Sequence, residues 1–122
     1  MSKELNPPLR FEYVPVRGDI VWLDFDPQLG HEQAKRRPAL VLSADQYNRV
    51  TGLAVFCPIT SKIKGFPWEV PVSSGLAISG VVLSDQVKNL DWRARKAEFI
   101  CKVSSLTLNE VLLTFLTLFE ET

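Results

Sequence analysis

"GDIVWLDFDPQLGHEQAKRRPALVLS", residues 18–43, reads as two strands joined by a long polar connection. The first strand lies in "RGDIVWLDF" (17–25), which opens on a Gly-Asp turn signal and continues in β-branched and aromatic residues. Apolar side chains fall on both alternating faces, as in a small barrel or a strongly curved sheet. "DPQLGHEQAKRR" (26–37) then offers Pro, Gly and polar residues with no helical period, which predicts a twelve-residue connection. Connections of that length in small domains tend to carry function. "PALVLS" (38–43) is the second strand, and two arginines stand at its mouth. A guanidinium stays charged at any cellular pH and must find an anion or water, so Arg37 before Pro38 raises the question of which anion it faces.

Downstream, "ADQYNRVTG" (44–52) predicts a turn with one helical turn, and "LAVFCPIT" (53–60) a third strand in which Pro58 argues for an edge or a bulge. "SKIKGF" (61–66) is a basic loop. "PWEVPV" (67–72) is an edge strand marked by Pro67 and Pro71, "SGVVLSDQ" (79–86) a fifth strand, and Arg95 to Val103 a further one. The period then changes. Thr107 is placed to cap a helix with Glu110 completing the box, and Val111, Leu112, Phe115, Leu116 and Phe119 fall on one helical face. Leu113 and Leu118 lie off that stripe, and exposed leucines there point to a partner surface. The outline is mostly β with helical additions: an SH3-like small β-barrel with a C-terminal α-helix.

A chain of 122 residues suits one domain with one ordinary core. Its 46% hydrophobic and 23% charged content is that of a globular protein, and no apolar run approaches the roughly 20 residues of a membrane helix. "MSKELNPPLRFE" (1–12) has no continuous apolar stretch and reads as an N-terminal extension rather than a signal, so the expected location is the cytoplasm. The order of that extension is left open, and residues 13–122 form the domain. Cys57 and Cys101 sit inside apolar runs and read as reduced core residues.

The net charge is zero, yet its distribution is uneven. Residues 35–102 carry eleven Lys or Arg against five Asp or Glu, a balance of +6. Residues 1–34 carry three against six and residues 103–122 none against three, so each flank is −3. A basic centre in a neutral whole can hold a polyanion locally, although sequence does not say which charges share a face.

The single histidine, His31, excludes two-histidine acid/base mechanisms, and the usual zinc sets are missing. Neither GxxxxGK[ST], a GxGxxG after a strand, nor GxSxG occurs. What remains is a set of polar residues at strand mouths: Glu32, Gln33, Lys35, Arg36 and Arg37 in the long loop, Thr60 and Ser61 after the third strand, Asp85, Gln86 and Lys88 after the fifth. Such a set suits a substrate that brings its own nucleophile, as RNA does with its 2′-hydroxyl. A guanidinium matches phosphorane oxygens bidentately, and a neighbouring hydroxyl can hold one of them.

The opening stretch, followed by "CPITSKIKGFPWEV" and "GVVLSDQVKNLDWRAR", resembles the MazF/PemK family of toxin endoribonucleases over roughly Tyr13 to Glu120. The resemblance implies a MazF/CcdB-type barrel, a homodimer, cleavage of single-stranded RNA at short sequences without metal or other cofactor, and neutralisation by a cognate MazE-like antitoxin. It also implies that Arg37 and Thr60 are the catalytic pair, Arg37 as acid/base and charge stabiliser and Thr60 as a phosphate-positioning donor. His31, Glu32, Gln33, Gln86 and Lys88 match positions that contact RNA, and Lys35, Arg36 and Ser61 beside them are expected in the same interface. Arg36 leaves open which guanidinium faces the phosphate. Lys62 and Lys64 read equally as phosphate contacts or a solvated loop. Trp22, Trp68 and Trp92 are expected in the core or a dimer contact rather than stacked on bases. A rival reading is a CcdB-like toxin that poisons DNA gyrase without cutting, against which the ending "LFEET" weighs.

Overall fold

The structure is a computed structural model, and it describes residues 12–26 and 35–121. Seven strands and two helices follow in the order β1 (Asp19–Asp26), β2 (Lys35–Val41), α1 (Asp45–Thr51), β3 (Leu53–Thr60), β4 (Glu69–Pro71), β5 (Val81–Leu83), β6 (Lys88–Asp91), β7 (Glu98–Lys102) and α2 (Ser105–Thr117). All pairings are antiparallel. The sheet runs β4-β5-β3-β2-β1-β7, with β6 added alongside β3. It is not closed by hydrogen bonds but curves like a small barrel, as the mostly β reading with a C-terminal helix anticipates.

Curvature follows from the double-sided apolar runs in β1, β2 and β3. Alternate side chains of a strand point to opposite faces, and here each face has its own cluster. Ile20, Leu40, Cys57 and Ile59 join Val70, Val82 and Val111 on one side. Val21, Leu23, Ala39, Val41 and Phe56 join Phe25 and Trp92 on the other. Each buried Val, Leu, Ile or Phe contributes about 1.5–3 kcal/mol, so these three strands carry most of the core.

Two buried polar residues anchor the frame. The Asp19 carboxylate accepts from Tyr13 Oη at 2.5 Å, the Val16 amide at 3.0 Å and Lys102 Nζ at 2.6 Å. Burial and the adjacent Asp19 charge push the Tyr13 phenol well above its usual range. Asn48, fully buried in α1, donates to the carbonyls of Pro15 and Ser43 and accepts from Ser43 Oγ. α1 is therefore longer than the single turn expected. Gly52, at φ 72, ends it in the left-handed conformation.

Pro58 is neither at an edge nor in a bulge: it lies inside β3, buried and paired with Ala39. Val55 faces β2, since its carbonyl accepts from the Leu42 amide at 2.8 Å. By alternation Cys57 faces β2 as well, while Phe56 and Pro58 point the opposite way. On that opposite side β6 pairs with β3 only up to Phe56, and β5 begins at Ile59. Proline's missing N–H thus falls where the partner strand changes, which removes its usual cost.

β6 was not anticipated, because its four residues are mostly exposed and polar and carry no period-two signal. At α2 the cap is Ser104, whose side chain accepts from the Thr107 amide at 3.2 Å. Thr107 is instead buried in the first turn, 3.0 Å from Ser73 Oγ. Of the expected stripe, Val111 is fully buried, whereas Leu116 and Phe119 are exposed, as are Leu113 and Leu118. Cys57 and Cys101 are both free thiols, the first buried and the second half-buried. Among the described residues no helix is long and apolar enough to cross a membrane.

Candidate active site

β1 extends to Asp26 and β2 begins at Lys35, so Arg36 and Arg37 belong to the strand rather than to the preceding loop. Consecutive strand residues point to opposite faces, and the two guanidiniums separate accordingly. Arg36 bonds Asp24 at 2.9 Å, Glu98 at 3.2 Å and the Lys96 carbonyl at 2.6 Å, drawing on β1, β7 and the turn before β7. Arg37 has no ion pair among the described residues; Asp85 lines a shared cleft with it without bonding.

The β2–β3 register pairs Ala39 with Pro58, Leu40 with Cys57 and Val41 with Phe56. Beyond this pairing β2 continues outward to Arg37 and β3 to Thr60, where β3 pairs with β5. Both residues line two adjoining clefts. One, of about 450 Å³, is completed by Pro38, Ile59, Ser61, Lys62, Ala77, Ile78 and Ser79. The other, of about 290 Å³, is completed by Lys62, Lys64, Phe66, Trp68, Glu69, Leu83, Asp85 and Gln86. Arg37, Thr60 and Lys62 form the ridge they share.

Thr60 is held closely. Its Oγ1 accepts from the Lys62 amide at 3.1 Å, which turns the chain into the basic loop. Its backbone meets Gly80, where a Cβ would lie 2.3 Å from the Thr60 carbonyl oxygen and where φ is +124°. Only glycine fits there. The Glu69 carboxylate accepts from the Lys64 and Gly65 amides at 2.9–3.2 Å, so the loop bearing both lysines is pinned against β4. Behind the site, burial, reinforced by the Asp85 charge, pushes the Cys57 thiol up to about 12. It therefore stays protonated and offers no nucleophile. Among the described residues no three His, Cys, Asp or Glu side chains gather as a metal site.

Of the anticipated contact residues, Ser61 and Gln86 come to the clefts with Arg37 and Thr60. Arg36 does not, being engaged on the other face. Lys88 stands at the start of β6 with its ammonium 5.5 Å from the centre of the Phe25 ring. His31, Glu32 and Gln33 lie outside the described residues, as does the side chain of Lys35. Trp92 is core, as expected, while Trp68 lines a cleft and is only half-buried. Phe66, Gly80 and Ile78 were not singled out from sequence; the Gly and aromatic residues flanking "SKIK" were the available signal.

An antiparallel sheet curved round two apolar clusters, with a strand-borne guanidinium that has no ion pair among the described residues and shares two clefts with a threonine hydroxyl, defines a small β-barrel-like protein with a candidate site at Arg37 and Thr60. Residues 16–119 match the family described as PemK-like, MazF-like toxin of type II toxin-antitoxin system. The endoribonuclease toxin MazF of Escherichia coli (strain K12) is 54% identical over 85 residues, which span 70% of this chain and 76% of that protein. The crystal structure of MazF from Deinococcus radiodurans has a TM-score of 0.81 at 51% identity, covering 88% of this chain and 97% of that one. A MazE–MazF crystal structure from the same organism has a TM-score of 0.85 at 50% identity, covering 91% and 100%. The chain belongs to the PemK-like, MazF-like toxin family of type II toxin–antitoxin systems.

Proposed function

We propose that this protein is the toxin of a toxin–antitoxin pair, an endoribonuclease that cuts single-stranded RNA, chiefly mRNA, at short sequences without a metal ion and so inhibits translation. The observation that carries the mechanism is Arg37, free of ion pairs among the described residues and lining with Thr60 both of the adjoining clefts. The substrate supplies the nucleophile: a ribose 2′-oxygen attacks the adjacent phosphorus, the bond to the 5′-oxygen breaks, and a 2′,3′-cyclic phosphate and a 5′-hydroxyl result. The attacking hydroxyl gives its proton to solvent water in the open cleft and the departing oxygen takes one from solvent, so protons balance. The Arg37 guanidinium neutralises the phosphorane oxygens and keeps an N–H against the departing oxygen, while the Thr60 hydroxyl holds a non-bridging oxygen. Ser61, Lys62 and Gln86 position the strand on either side.

The MazE–MazF complexes of similar proteins support a MazE-like antitoxin as partner, with an acidic and apolar segment suited to the basic cleft and the exposed leucines of α2. Action in the cytoplasm as a homodimer belongs to the same reading. Nothing among the relatives described favours a gyrase-binding toxin. Incubation of the purified protein with single-stranded RNA in EDTA tests the proposal, and sequencing the 5′ ends of the fragments reads out site preference. Intact RNA together with inhibited DNA gyrase would overturn it.

A further inference from the structure

The two clefts that meet at Arg37 and Thr60 differ in chemistry. The larger is walled by Ile59, Ala77 and Ile78 with serine hydroxyls and contains no aromatic ring among the described residues. The smaller holds Phe66 and Trp68, whose rings are stacked on each other with centroids 4.9 Å apart and planes 16° from parallel. Phe66 is 45% exposed, a large fraction for a phenyl ring at the edge of a cleft.

We infer that Phe66 and Trp68 form a stacking platform for one nucleobase beside the scissile phosphate, so that RNA is gripped by a base on one side of the cut and not on the other. The inference rests on the endoribonuclease reading above and adds the subsite that the reading leaves unassigned. Three observations carry it. The rings share a cleft with Arg37 and Thr60. The platform is built before any ligand arrives: Glu69 pins the Lys64 and Gly65 amides, the Glu69 amide donates to the Phe66 carbonyl at 3.1 Å, and the Ser84 amide donates to the Trp68 carbonyl at 3.1 Å. Finally, Lys62 and Lys64 line the same cleft and supply the cationic track for a backbone that delivers its bases to aromatic faces. A preorganised ring loses little freedom when a base settles on it.

The test uses an RNA oligonucleotide spanning a mapped cleavage site, 2′-deoxy at the attacking ribose so that it binds uncut. Abasic substitutions are made one position at a time. For the wild type, removal of one base adjoining the scissile phosphate should weaken binding about 5- to 150-fold, the range for one base stacked on an aromatic side chain. In Phe66→Leu, which keeps apolar bulk without a π face, that penalty should largely vanish while penalties at other positions persist. Trp68→Phe should remove the quenching of tryptophan fluorescence by the intact oligonucleotide. An equal positional penalty in wild type and Phe66→Leu, a uniform loss at every position, or undiminished quenching in Trp68→Phe would overturn the platform while leaving RNA cleavage standing. A wild type that cuts no RNA would instead overturn the endoribonuclease reading itself.

Discussion

The two faces of β2 treat the same side chain in opposite ways. On one face Arg36 is surrounded by Asp24, Glu98 and the Lys96 carbonyl, so its donors are consumed within the protein. On the other, one residue along, Arg37 meets Thr60 and two open clefts with no ion pair among the described residues. A saturated guanidinium is a strut. An unsaturated one in a sheltered cleft is an anion receptor, since the interactions that folding leaves unmade remain for a ligand.

The sharpest way to break this comparison is Arg37→Ala. It should reduce RNA cleavage by at least about 10²–10³-fold, the usual cost of removing one charge-stabilising donor, with the melting temperature unchanged. An unaltered rate takes Arg37 out of the mechanism. Thr60→Val should lower the cleavage rate by a smaller factor, with Thr60→Ser restoring most of it, because the hydroxyl and not the methyl is the donor; single-turnover kinetics reads the difference. Gly80→Ala forces a Cβ to within 2.3 Å of the Thr60 carbonyl oxygen at φ +124°. A stability loss of about 1–3 kcal/mol in urea denaturation should accompany slower cleavage.

Arg36→Ala sharpens the contrast from the other face. Its ion pairs are partly exposed, the Glu98 side chain at 70%, so the stability cost should stay below about 1 kcal/mol and cleavage should persist. At neutral pH the effect of Cys57 ionisation is nil, and it enters only in the alkaline range. An unfolded thiol ionises near 9.0 while the folded one is pushed up to about 12. Between these values the folded state binds more protons, so its stabilising contribution, complete below about pH 9, is lost as pH rises towards 12. Cys57→Ala should show a shallower decline of unfolding free energy across that alkaline window.

The central strands were legible because β1, β2 and β3 are apolar on both faces, and only a doubly covered, curved sheet accommodates such runs. Arg37 stood out as a charge at the mouth of an apolar strand, whereas Thr60 was named as its partner only through the resemblance to the MazF/PemK family. β6 was illegible since its residues are exposed and its pairing with β3 depends on a strand more than 30 positions earlier. The cap on α2 was misplaced by three residues because Ser104, Ser105 and Thr107 all carry hydroxyls, and burial of Thr107 against Ser73 decided among them. The Phe66–Trp68 pair was hidden because "GFPWEV" shows two aromatics but not that Pro67 and Glu69 turn them onto one another.

Local sequence alone determined the three long apolar strands, that the middle of the chain is basic, and that a guanidinium and a hydroxyl stand at the ends of apolar runs, since these are matters of residue type and short-range period. Only the tertiary structure decided which arginine is spent and which has no ion pair among the described residues. That choice depends on Asp24, Lys96 and Glu98 arriving from β1, β7 and the turn before it, and electrostatic pairing is set by distance in space rather than by separation along the chain.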